Sequence, residues 1–183
     1  KVDLIVDEWG GWYETDAEGK GALYQQNTMR DAVIAGITLN IFNNHCDRVR
    51  VANLAQTVNV LQAVILTNKE KMILTPTYHV MEMYNVHQDA TMIPVNVQSN
   101  DYVVGNEKLP AVSVSASKDQ NGVTHISLVN IDASKPQSVS IDMHGMTAAT
   151  VSGRILTSKK LQDYNSFEQP GKIQPVVFKD AKI

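Results

Sequence analysis

The chain has 183 residues, is 43% hydrophobic and 19% charged, and carries a formal net charge of −3 with a pI near 5.9. With no basic block and no RNA-binding aromatic signature, it lacks the clustered Lys and Arg that a nucleic-acid partner demands. No apolar stretch approaches the ~20 residues of a membrane-spanning helix, and the single cysteine, Cys46, excludes an internal disulfide and a cysteine-based zinc cluster.

Two regions of different period meet near residue 92. Val2 to Val6 is a short apolar run closed by Asp7-Glu8-Trp9-Gly10, the pattern of a buried parallel strand. It opens the chain with neither a methionine nor a leader, which points to a piece of a longer protein. A loop rich in Gly and charge follows, from Gly10 to Gly21. Tyr24 to Asn44 is helical in length and composition, and apolar around much of its surface, so protein should cover it; Asn43-Asn44 is its stop signal. Val49 to Asn53 is the next strand. Thr57 to Leu66 is apolar and fits loop, strand or short helix. Lys71 to Leu74 reads as one strand of a hairpin. Thr75-Pro76 is an N-cap with proline at the first helical position, and the helix it starts lines up Val80, Met83, Tyr84 and His87 on one face. This strand–helix–strand–helix order is the βα signature of a parallel sheet or barrel.

From Met92 onward the period is two. Val112, Val114 and Ala116 alternate with Ser113, Ser115 and Ser117, and Asn121-Gly122 marks a turn into a returning strand from Val123 to Ile131. Val139 and Ile141 alternate next, then Val151, Gly153 and Ile155. Short strands separated by turns predict an antiparallel β-sandwich.

Counting along the first strand places Leu4, Val6 and Glu8 on one face. A carboxylate at the C-terminal end of a buried parallel strand stands where βα barrels carry catalytic groups. Trp9, Trp12 and Tyr13 follow within five residues, and flat aromatic faces beside a carboxylate suit sugar rings. The alternative is that Asp7 and Glu8 are solvated strand-end charges with aromatics covering the core. Other constellations are weaker. His45-Cys46-Asp47 are adjacent, so their side chains splay apart, and no second pair lies at a ligand spacing. His79 and His87 stand about two helical turns apart, too far to share a metal. Gly19-Lys20-Gly21 lacks the rest of a phosphate-loop pattern. With no serine nucleophile elbow, carboxylate chemistry dominates, which favours glycoside hydrolysis over acyl transfer.

Val6-Asp7-Glu8-Trp9-Gly10-Gly11-Trp12-Tyr13 resembles the nucleophile motif of glycoside hydrolase family 51, the α-L-arabinofuranosidases. Further blocks agree in order: Tyr24 to Ala32, Arg50 to Val60, Thr75 to Val80, Ile155-Leu156-Thr157 and Asn165-Ser166-Phe167. The resemblance implies the last βα units of a (β/α)8 barrel over residues 1–91 and a jelly-roll-like β-sandwich over 92–183, cut at both ends. It implies a retaining, exo-acting hydrolase of terminal arabinofuranosyl groups on arabinose-containing glycans, with no metal or organic cofactor. Glu8 would be the nucleophile, Trp12 would line the sugar pocket, and Gln56 would hydrogen-bond the arabinofuranosyl group. Asn59 would either join them or support their loop.

The family's acid/base glutamate lies in an Asn-Glu-Pro motif that this sequence lacks; Asn106-Glu107 is followed by Lys108. The chain alone is therefore expected to be inactive. Two other readings stand beside the arabinofuranosidase: a non-catalytic β-sandwich that binds carbohydrate or a partner, and a β-glucan-active member of the same family. The resemblance admits a homo-oligomer, and the compartment stays open between cytoplasm, periplasm and secretion.

Overall fold

The computed structural model describes residues 2–14, 21 and 23–183. Strand β1 (Leu4–Trp9) pairs in parallel with β2 (Val49–Leu54), and helix α1 (Met29–Asn44) lies between them in the chain, making one βαβ unit. An antiparallel hairpin, β3 (Ile65–Asn68) and β4 (Lys71–Leu74), leads into α2 (Pro76–Tyr84). Thr75 caps α2, its hydroxyl accepting the Tyr78 N–H at 3.3 Å. The stretch from Thr57 onward is irregular until β3 begins at Ile65.

Helix α1 starts at Met29, later than its apolar composition predicts. Thr28 is extended, and its N–H donates to the Asp31 carboxylate at 2.8 Å, closing the first turn from outside. Residues 24–28 form a strap whose amide side chains reach other loops: Asn27 donates to the Leu61 carbonyl and Gln26 to the Asn165 carbonyl. The first free N–H groups of α1 meet the C-terminal segment, Met29 donating to the Asp163 carbonyl and Arg30 to that of Leu161. Asn165, in one of the blocks singled out above, ties that segment down. Its side chain donates to the carbonyls of Leu74 and Ile173 and accepts the Ile173 N–H.

The regular structure of the second half is all strand, with no helix among its described residues. β5 (Thr91–Ile93), β8 (Val112–Lys118) and β9 (Thr124–Asn130) form one antiparallel sheet in the order β5-β8-β9. β6 (Asp101–Val104) and β7 (Glu107–Pro110) form a hairpin that the period-two pattern did not predict. β10 (Gly153–Ile155) pairs with β11 (Val176–Phe178). Val139 and Ile141 alternate as a strand would, yet they lie in irregular backbone, exposed, with no described strand beside them to pair.

One apolar cluster, Ala32, Ala35 and Val80, joins α1 to α2, with Trp9, Met29, Leu39, Tyr84 and Leu156 packed around it. A smaller one of Ala63, Leu66 and Ile73 sits under Phe167. Between α1 and the β8–β9 sheet the contact is polar. Asn40 donates to Ser113 at 3.0 Å and accepts from Ser115 at 2.7 Å, while Asn43 donates to Ser115 and Asn44 to the Val114 carbonyl. His87 extends the seam, its two ring nitrogens 2.7 and 2.8 Å from the hydroxyls of Ser117 and Ser127. Burial, and then the charge of His125, hold the His87 pKa below its ordinary value.

Gly36 permits this close approach. A Cβ added there would lie 2.8 Å from Cγ2 of Val129 on β9. In an exposed helix Gly→Ala gains about 1 kcal/mol, but a methyl forced into a packed seam costs roughly 1–3 kcal/mol. Val129 has a short, stiff side chain on a paired strand, so the steric cost should prevail. Gly36→Ala is expected to lower the urea midpoint of the full-length protein; a raised midpoint would show that β9 retreats freely.

Candidate active site

Because β1 and β2 are parallel, their C-terminal ends lie together, with Trp9 paired to Leu54. Glu8 is the penultimate residue of β1, and Gln56 stands two residues beyond the end of β2. Neighbouring strands run about 4.8 Å apart, so the parallel pairing carries these two predicted residues to the same edge. Both are solvent-exposed.

The register of β1 on β2 slips between Val6 and Trp9, where one strand advances three residues and the other two. This bulge falls on Asp7-Glu8 and interrupts the strict alternation expected from Leu4 to Glu8. Bulges commonly re-aim side chains beside active sites. On the far side of the bulge, Trp9 anchors the strand: it packs on the Ala32–Ala35 cluster and meets Phe42 edge to face at 5.6 Å. Of the three aromatics after the carboxylate, Trp9 therefore belongs to the core, and Trp12 alone is open, at 67% exposure.

The loop after β1 is held by two glutamines. Gln62, fully buried, accepts the Gly11 N–H at 2.7 Å through Oε1, and its Nε2 donates to the Asp31 carbonyl at 2.8 Å and to the Thr77 hydroxyl at 3.3 Å. One side chain thus joins the post-Glu8 loop to the first turns of both helices. Gln25, also buried, donates to the Gly11 carbonyl at 2.8 Å and accepts the Tyr13 N–H at 3.1 Å. Gly10 has φ +143°, and a Cβ there would crowd the Ala55 carbonyl at 3.3 Å, so a side chain is excluded on two counts. Backbone bonds complete the link: the Ala55 N–H donates to the Trp9 carbonyl, and the Gln62 N–H to that of Ala55.

Neither glutamine stood out in the sequence. The one signal for Gln62 is a polar residue inside the run Val60-Leu61-Gln62-Ala63-Val64-Ile65. Gln25 lies in what reads as the first turn of a helix.

Tyr13 turns back over Gly11 and lies beneath Arg30, whose guanidinium carbon is 3.5 Å from the ring centroid. Burial raises the Tyr13 pKa, and Asp31 adds to that, against the opposing effect of Arg30. Asn59 has φ +60° and uses both ends of its amide on Thr67, accepting its N–H and donating to its hydroxyl, each at 2.7 Å. It holds the loop leaving β2 against β3. Beside that loop, a cleft of about 570 Å³ is lined by Gln56, Thr57, Val64, Tyr78, Met81 and Glu82, among others. Gly19-Lys20, which lacks the rest of a phosphate-loop pattern, lies outside the described residues.

Residues 7–183 match the model of the α-L-arabinofuranosidase C-terminal domain. An intracellular exo-α-L-arabinofuranosidase of Bacteroides ovatus is 48% identical over 185 residues, covering 100% of this chain and 36% of that protein. A probable α-L-arabinofuranosidase C of Aspergillus niger is 28% identical over 170 residues, covering 88% of this chain and 33% of its own. Among solved structures, the GH51 arabinofuranosidase of Xanthomonas axonopodis pv. citri superposes with a TM-score of 0.95 at 46% identity, over 100% of this chain and 37% of that one. A family 51 α-L-arabinofuranosidase from Bifidobacterium longum gives 0.84 at 25% identity, over 99% of this chain and 38% of that one. The chain thus spans little more than a third of the length of these relatives. On the match from Asp7 to Ile183, the chain belongs to the α-L-arabinofuranosidase C-terminal domain family.

Proposed function

We propose that this chain is the C-terminal portion of a retaining, exo-acting α-L-arabinofuranosidase, acting on terminal arabinofuranosyl groups of arabinose-containing glycans. In this reading residues 1–91 are the last βα units of a (β/α)8 barrel and residues 92–183 its β-sandwich. The observation that carries the proposal is the parallel pairing of β1 with β2, which puts Glu8 and Gln56 at the same end of the two strands, with Trp12 exposed in the loop that follows Glu8. Relatives named as arabinofuranosidases support it across the whole chain.

The chemistry follows from the carboxylate. Glu8 attacks the anomeric carbon as the bond to the leaving oxygen breaks, and a second carboxylic acid protonates that oxygen. Water, deprotonated by the same second group, then cleaves the glycosyl ester and frees Glu8. Trp12 stacks on the sugar, Gln56 hydrogen-bonds its hydroxyls, and Asn59 contributes through the loop it fastens to Thr67. Retaining hydrolysis needs the second carboxyl roughly 5–5.5 Å from the first, and it would come from outside these residues.

The test is turnover of 4-nitrophenyl α-L-arabinofuranoside by the full-length protein, with the anomer of the first product read by NMR. Turnover with retention is expected, and none from the 183-residue chain alone. Inversion, or an inactive full-length protein, would overturn the reading. Turnover of β-glucans instead would assign the chain to a β-glucan-active enzyme.

A further inference from the structure

We propose that Gln25 is a positioning residue that presents Trp12 to the sugar. The inference rests on the reading of Trp12 as a sugar platform and adds a residue with no chemistry of its own.

Two peptide groups flank Trp12, and one side chain holds both. Gln25 donates to the Gly11 carbonyl at 2.8 Å and accepts the Tyr13 N–H at 3.1 Å, so a single carboxamide grips the backbone just before and just after this residue. The arrangement copies a strand-to-strand pair of backbone hydrogen bonds, with a side chain in place of the second strand. Gln25 is only 5% exposed, so water competes little for either bond.

The neighbours turn the same way. Gln62 fixes the Gly11 N–H, and the Tyr13 ring folds back so closely that a Cβ on Gly11 would lie 2.7 Å from it. Arg30 lies over the Tyr13 ring, its guanidinium carbon 3.5 Å from the centroid. With Gly11 and Tyr13 secured inward, Trp12 between them is turned outward and is two-thirds exposed in this chain. A large exposed aromatic on an unconstrained loop would sample many backbone states and give up that freedom on binding. The Gln25 clip removes it beforehand, so the ordering falls on the free protein and the sugar meets a fixed surface.

A double-mutant cycle in the full-length protein tests this, with KM and kcat for 4-nitrophenyl α-L-arabinofuranoside measured well below the unfolding temperature. Trp12→Ala and Gln25→Ala should each raise KM by roughly tenfold while kcat changes by less than about threefold. The double variant should be no worse than Trp12→Ala, because a clip with nothing to present has no further effect. A purely structural Gln25 would instead multiply its effect onto that of Trp12→Ala, which would overturn the proposal. An unchanged KM in Gln25→Ala beside a raised KM in Trp12→Ala would overturn the clip and leave the platform standing. An unchanged KM in Trp12→Ala would overturn both. Should Gln25→Ala not fold, Gln25→Glu serves in its place. It keeps the size and the acceptor for the Tyr13 N–H but cannot donate to the Gly11 carbonyl, so a raised KM is expected and a wild-type KM would overturn the proposal.

Discussion

Glu8→Ala is expected to lower kcat/KM of the full-length protein on aryl arabinofuranosides by roughly 10⁴-fold or more, the range seen when a covalent nucleophile is deleted. Added azide should restore turnover of substrates with good leaving groups. The small anion enters the space left by the carboxylate and displaces the aryloxide, giving an arabinofuranosyl azide of inverted configuration. The fold gives reasons to expect a clean result. Within this chain Glu8 is exposed, so its removal opens no cavity in the core formed by the described residues. Trp9, packed on Ala32 and Ala35 and against Phe42, continues to hold the end of β1. The variant should therefore melt like the wild type while losing turnover, which separates chemistry from folding. Full activity in Glu8→Ala would remove this residue from the mechanism and return Asp7 and Glu8 to solvated strand-end charges. Inactivity without azide rescue, in a protein that still melts normally, would leave Glu8 essential but in a role other than nucleophile.

The second large effect is on stability. Gln62→Leu is expected to destabilise the full-length protein by about 2–4 kcal/mol, since each buried polar group stripped of its partner costs about 1–3 kcal/mol. Three partners lose their bond at once: the Gly11 N–H, the Asp31 carbonyl and the Thr77 hydroxyl. The Thr77 hydroxyl can turn to other acceptors, and the Asp31 carbonyl lies in a helix, so the Gly11 N–H dominates the loss. Gln62→Glu should lie between the two, keeping an acceptor for Gly11 while facing the Asp31 carbonyl with a charge. Urea unfolding of the three proteins would measure this. A Gln62→Leu midpoint equal to the wild type would mean that water or a shifted loop satisfies these groups as well as glutamine does.

How much of this the sequence carried depends on the kind of signal. Local chemistry was legible. The apolar run before Glu8 became β1, and Thr75-Pro76 opened α2 with the Thr75 hydroxyl as its cap. The Asn121-Gly122 turn joined β8 to β9 as the returning antiparallel strand. Each of these follows from steric or hydrogen-bonding preferences of residues close in sequence, and such preferences do not wait for the rest of the chain.

What failed needed a partner distant in sequence. Val139 and Ile141 have the alternation of a strand, but a strand exists only where another one pairs with it, and none of the described strands does. Tyr24 to Thr28 has helical composition, yet those side chains reach the loops at Gly11 and Leu61 and to Asn165, and the helix waits until Met29. Alternation alone sets the serines of β8 on the face opposite Val112, Val114 and Ala116, with no sign of what covers them. Ser115 and Ser117 are buried, because Asn40 and Asn43 on α1 and His87 after α2 offer them hydrogen bonds. The site divides in the same way. By itself the sequence located the candidate residues: Glu8 at a strand end, Trp12 after it, and Gln56 after the next strand. Only the tertiary structure decided that parallel pairing brings Glu8 and Gln56 to one edge, that Trp9 turns inward, and that Gln25 and Gln62 hold the loop between them. A glutamine's role is set by which distant backbone groups lie within about 3 Å of its amide, and that distance exists only once the chain has folded.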